Sequence, residues 1–283
     1  MARRDIRDPG GRNREGTRGQ KEAPVIIGAS AATLTLLEKV AIDNGFDREL
    51  PRESEWLAFA STQSPLRIWL SAPGETLFVA AFSQDNVVAA LDPGTAASSL
   101  LPEGAVAARA VTGISALYRL VRRAFQLSKT LPYELLRTFE KQTAPLPRST
   151  EAERLVVQRV GQGVFRGGLL EYWEGRCAVT GLAVPELLRA SHIKPWADCA
   201  NDAERLDVFN GLLLAPHLDA AFDGGFITVA DDGAVVVSSE LDEAARRLLG
   251  LASPVFVKAL TPGHRAYLSW HREQVFGKRG ETS

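Results

Sequence analysis

The chain has 283 residues, of which 45% are hydrophobic and 24% charged, with a formal net charge of −1. That length suits about two domains, and the composition supplies a sizeable core while excluding fibrous, repeat and wholly disordered classes. The longest uncharged apolar stretch, Ala23 to Leu37, is about 15 residues and falls short of the roughly 20 that span a bilayer, so no membrane partner is expected.

The first 22 residues, MARRDIRDPGGRNREGTRGQKE, mix Arg with Asp and Glu and hold no apolar run. They read as a disordered basic head rather than a secretory signal, and the expected location is the cytoplasm. Ser30 is placed to cap a helix carrying Leu34, Leu37 and Val40, which stops near Asn44-Gly45. Leu66 to Ser71 and Thr76 to Phe82 are β-prone runs joined through Pro73-Gly74, a hairpin pattern. Ile114, Leu117, Tyr118, Val121 and Phe125 follow helical spacing with Arg119, Arg122 and Arg123 interleaved, which predicts an amphipathic helix with a basic face. An N-terminal α+β domain over 23–140, of unassigned function, is therefore expected. The Pro-containing stretch 141–150 reads as a linker.

Beyond it, Leu155, Val156, Val160, Phe165, Leu169 and Trp173 keep a roughly helical period, but glycines at 161, 163, 167 and 168 predict an interrupted helix or two short ones. LLRASHI (187–193) and FNGLLL (209–214) read as strands around a polar loop. Pro216 then offers a first helical position for HLDAAFD (217–223). FITVADDGAVVVSS reads as a hairpin with an Asp-Gly turn, and Leu241 to Leu249 as a terminal helix. Charge is uneven: Arg109 to Arg166 holds 11 Lys or Arg against 4 Glu, whereas Asp198 to Leu248 holds 11 acids against 3 Arg. The two cysteines, Cys177 and Cys199, form no C-x-x-C pair, which argues against a disulfide framework or a four-ligand zinc site. Cys177 reads as a small buried side chain.

Within one strand, loop, strand, helix succession lie His192, Asn210, His217, Asp219 and Asp223. Phosphodiester hydrolysis needs a base for water and a cation for the phosphate charge. One imidazole and two carboxylates meet those needs. Asp219 and Asp223, at i and i+4, share a helix face about 6 Å apart at Cβ, an oxygen pair suited to a hard cation such as Mg²⁺ or Mn²⁺.

SHIKPW, then NGLLL, then a D-x-x-x-D helix ending in F-D-x-G resembles the HNH endonuclease superfamily. The stretch from about Ser149 through Ser238 is similar to bacterial HNH proteins of the restriction type. The resemblance implies a C-terminal ββα-metal nuclease domain over 151–283, with His192 as general base and Asn210 bracing the catalytic loop. It implies a third motif residue that is either Asp219, favoured by spacing, or His217, retained as an alternative metal ligand; Asp223 follows one turn later. Where relatives often place a further metal ligand this chain has Ser191, and it lacks their paired C-x-x-C clips. Lys194, Arg119, Arg122 and Arg123 are candidate contacts to DNA. The implied activity is metal-dependent DNA cleavage in bacterial defence, with a homodimer among the states allowed. The alternative is a DNA-binding module on the same ββα unit that has lost cleavage.

Overall fold

The computed structural model describes residues 29–91, 95–96, 101–257 and 260–278. The basic head read over residues 1–22 lies outside the described residues. Helix α1 (Ala31–Asp43) begins as the sequence indicates, with Ser30 accepting a hydrogen bond from Thr33 N, and ends at Asn44. Strands β1 (Arg48–Glu53), β2 (Trp56–Ala60), β3 (Arg67–Ser71) and β4 (Leu77–Phe82) form an antiparallel meander. Helix α2 (Asp85–Ala90), strand β5 (Thr95–Ala96) and strand β6 (Ala107–Thr112) follow, giving a six-stranded sheet in the order β1-β2-β3-β4-β6-β5.

Period-2 alternation splits this sheet into two buried faces. Leu57, Phe59, Ile68, Leu70, Phe78, Ala80 and Phe82 point toward the helices, while Trp56, Ala58, Trp69, Val79 and Ala81 form a second, smaller cluster behind. Because both faces are covered, β2 and β4 read as nearly continuous apolar runs.

Helix α3 (Ile114–Thr130) is the predicted amphipathic helix, and α4 (Pro132–Thr143) follows it directly. Three residues of the stretch read as a linker, Lys141 to Thr143, finish α4. Thr150 at its other end caps α5 (Glu151–Tyr172) through a capping box with Glu153. The interruption expected in α5 does not occur: it runs unbroken for 22 residues. Its glycines are points of close approach, since a Cβ on Gly161 would lie 2.6 Å from the Trp196 ring and one on Gly168 would overlap Leu135. Packing thus outweighs the cost of about 1 kcal/mol per helical Gly. Helix α5 packs on α3 and α4 on one side and on the C-terminal strands on the other, so one continuous core runs from Leu37 to Leu268.

The C-terminal half contains β7 (Arg189–His192), the short helix α6 (Asp202–Arg205), β8 (Gly211–Leu214), α7 (Pro216–Asp223) and the hairpin β9 (Ile227–Val229) and β10 (Val235–Val237). Helix α8 (Glu243–Leu248) falls where a terminal helix was expected but is not the last. Helix α9 (Pro262–His271) follows and passes into a π-helical turn, Arg272–Phe276.

Two histidines anchor α9. His264, fully buried, accepts from Thr261 N at Nδ1 and sits among the rings of Tyr172, Trp173 and Phe209. His271 bonds Thr228 and the Phe222 carbonyl and stacks on Phe222 at 3.8 Å. Burial lowers both pKa values to about 4. The folded state therefore refuses protons that the unfolded chain takes up below about 6.5, so stability is present above that pH and is lost on acidification. Asp207, Asp219 and Asp223, raised by burial, act oppositely and at lower pH. Between pH 7 and 5.5 the two histidines together should cost roughly 2 kcal/mol. Melting temperature should fall by several degrees over that range, and thermal scans showing no change would contradict the assignment.

Candidate active site

Strands β7 and β8 pair antiparallel with His192 opposite Gly211 and Ser191 opposite Leu212. Pro195 stops β7 from continuing. Pro216 starts α7 immediately after β8, which folds α7 back against β7. The result is a ββα unit whose cleft, of about 450 Å³, is lined by Ser191, His192, Trp196, Asp219 and Asp223, with His271 and Val275 also bordering it.

His192 is held on three sides. Its ring stacks on Phe165 of α5 at 3.8 Å, meets the edge of Trp196 at 5.6 Å, and its Nε2 lies 2.9 Å from the Arg205 carbonyl. A carbonyl only accepts, so Nε2 carries the hydrogen and Nδ1 keeps the lone pair. Burial, only partly offset by that carbonyl, lowers the pKa and favours the neutral ring. A neutral imidazole with one nitrogen anchored and the other basic is a competent proton acceptor.

Asn210 is fully buried at the junction into β8. Its Oδ1 accepts from Lys194 N at 2.8 Å, while Nδ2 donates to the carbonyls of Lys194 and Glu204 at 3.2 Å each and lies 3.4 Å from Cys199 Sγ. One amide thus clamps both arms of the loop that carries Arg205 next to His192. Asn210→Asp keeps the acceptor but turns a carboxylate oxygen toward two carbonyls. It should cost on the order of 3 kcal/mol in urea unfolding and lower any activity with it. Unchanged stability would reduce Asn210 to a turn residue.

Asp219 and Asp223 face β7 from one side of α7. Ser191, itself buried, donates to Asp223 Oδ1 at 3.3 Å. Burial raises both carboxyls; the Asp219 charge raises Asp223 further, while Ser191 opposes the rise at both residues. Paired, partly desolvated carboxylates of like charge favour a cation between them.

The structure does not bring every expected residue to this cleft. His217 is exposed and absent from the lining, since two helical steps rotate it about 200° from Asp219. Lys194 is committed to an ion pair with Glu204 at 2.7 Å and does not line the cleft. Arg119 and Arg122 are exposed on α3. Arg123 is a packing residue: it donates to the Tyr172 carbonyl at 2.6 Å and stacks 4.5 Å over that ring. Among the described residues no group of three or more His, Cys, Asp or Glu is placed to hold a metal ion. The available donors are therefore the two carboxylates and the Ser191 hydroxyl. They fit a hard cation that keeps several waters, as Mg²⁺ does.

Phe165 and Arg205 escaped the sequence reading. The Arg205 guanidinium bonds the carbonyls of Trp196 and Cys199 and the Asp202 carboxylate, so it staples the loop whose carbonyl orients His192. Its isolated position in an acidic block gave no signal. Phe165 was legible only as one apolar point on α5.

Residues 177–230, which contain this ββα unit, match the family model for HNH endonucleases. This segment belongs to the HNH endonuclease family. A search of curated proteins returned no match. The matched span runs from Cys177 to just past β9 and includes every residue lining the cleft except His271 and Val275. The HNH domain is thus completed by Phe165 from before it and by His271 and Val275 from after it. Cys177 within it is a buried free thiol that accepts from Thr180 N and Ala215 N.

Proposed function

We propose that the protein is a metal-dependent DNA endonuclease of the restriction type, with His192 as general base. The observation that carries this reading is the fixed ring of His192, its Nε2 on the Arg205 carbonyl, in the same cleft as Asp219 and Asp223. In the proposed reaction Nδ1 of His192 takes a proton from water. The water oxygen forms a bond to phosphorus and one phosphoester P–O bond breaks. The Arg205 carbonyl stabilises the imidazolium so formed. Asn210 keeps that carbonyl in place. Asp219 and Asp223 would hold a divalent cation, Mg²⁺ or Mn²⁺, which supplies charge neutralisation at the phosphate and leaving oxygen. In this reading the N-terminal sheet domain selects the target.

The second reading, a DNA-binding module without cleavage, draws on Ser191, whose hydroxyl bonds Asp223 where a further metal ligand would otherwise stand. Incubating modified and unmodified DNA with the protein and Mg²⁺ or Mn²⁺, then mapping the ends, separates the readings. Restriction predicts cut ends and a preference between the two DNAs. Equal cutting of both removes the restriction role, and no cutting with retained binding favours the second reading.

A further inference from the structure

Trp196 is the wall between two cavities. On one side lies the catalytic cleft; on the other lies a groove of about 270 Å³ lined by Phe139, Arg148, Arg154, Val157, Gln158 and Arg205, with Asp202 at its edge. Helix α5 lines the groove and packs beneath the cleft's His192 and Trp196. Arg154, Val157, Gln158, Gly161 and Phe165 recur at helical spacing and share one face. Phe165 lies under His192, Gly161 under Trp196, and Arg154 about 16 Å further along the axis from Phe165.

The charge of this groove opposes that of the cleft. Asp202 is neutralised by Arg205 at 2.9 Å. Arg148 bonds only the neutral hydroxyl of Thr143, at 3.1 Å, and among the described residues neither Arg148 nor Arg154 has an acidic partner. Both are exposed. Two uncompensated guanidinium groups and the Gln158 amide therefore stand beside an apolar floor of Phe139, Val157 and Trp196. That combination suits phosphates flanked by sugar rings. The cleft itself presents two carboxylates against one cation, Arg189, to an anionic strand, so further affinity for that strand is expected from beside it.

We propose that this groove binds the sugar-phosphate backbone of the DNA strand as it leaves the cleft past Trp196, with Arg148 and Arg154 contacting phosphates. The proposal rests on the endonuclease reading above for its substrate. It moves the principal backbone contact from the α3 face, Arg119 and Arg122, to the junction of α4 and α5.

The test is a salt titration of binding to a fluorescent 20-base-pair duplex by anisotropy, with full-length protein in chelator so that no cleavage intervenes. Arg148→Gln/Arg154→Gln, which keeps the side-chain stems, should weaken binding roughly tenfold to a hundredfold near 0.1 M salt. It should also reduce the slope of log affinity against log salt by about 2, with the melting temperature unchanged. Wild-type affinity and slope in that variant would overturn the proposal. So would a slope loss seen in Arg119→Gln/Arg122→Gln but not at the groove. Cleavage of the same duplex by wild-type protein in Mg²⁺ is run alongside. If wild type cuts and the groove variant binds normally, the groove alone is wrong; if the groove variant binds weakly but wild type never cuts, the groove stands and the endonuclease reading fails.

Discussion

His192→Ala should reduce the single-turnover rate of DNA cleavage at least about a hundredfold while leaving the affinity for DNA within a few-fold of wild type. The expectation follows from position as much as from residue type. The ring is anchored at Nε2 by a carbonyl, stacked on Phe165 and edged by Trp196, so proton transfer to it would need little reorganisation. Its lowered pKa leaves it neutral and ready to accept a proton. The protein has three other histidines: His264 and His271 are buried with their ring nitrogens inside the fold, and His217 is outside the cleft. None can substitute. Loss of binding in parallel with cleavage would instead show that the ring packs the site without performing chemistry.

The second large effect is expected on α7. Asp219→Ala should abolish metal-dependent cleavage, whereas His217→Ala should stay within a few-fold of wild type. Asp219 and Asp223 lie one turn apart against Ser191, and removing either leaves a single carboxylate, too few fixed oxygens to hold a hard cation in register. His217 is exposed and does not line the cleft. Metal titrations of both variants check this: Asp219→Ala should show no cleavage over the Mn²⁺ range that supports wild type, and His217→Ala should need the wild-type amount. The reverse order would mean that the helix turns its His217 face to the phosphate during catalysis.

The ββα unit was legible because each of its parts has a local cause. Pro195 ends β7, Pro216 starts α7, and the i, i+4 spacing of Asp219 and Asp223 settles their common face. The same periodicity excludes His217, but spacing counted along the motif left it open, because rotation about a helix is read only once its start is known. Lys194 is a loop cation in the sequence; its partner Glu204 lies ten residues away in α6, held close by Asn210, a tertiary fact no local rule supplies. The glycines of α5 were read by propensity, and packing against Trp196 and Leu135 decided otherwise. Helix α9 lies beyond the segment read as the terminal helix, and the contacts that hold it, His264 among three aromatic rings and His271 on Phe222, are all long-range. The N-terminal sheet hid β1 because RELPRE is polar and carries a proline, as suits an edge strand.

Plasmid cleavage by the purified protein tests the central claim most directly. With Mg²⁺ or Mn²⁺ in the millimolar range, on the order expected for an open oxygen site, supercoiled DNA should be converted to nicked or linear product, and excess chelator should stop it. Full cleavage in chelator, or none at any metal concentration with DNA still bound, would contradict a metal-assisted hydrolysis centred on His192, Asp219 and Asp223.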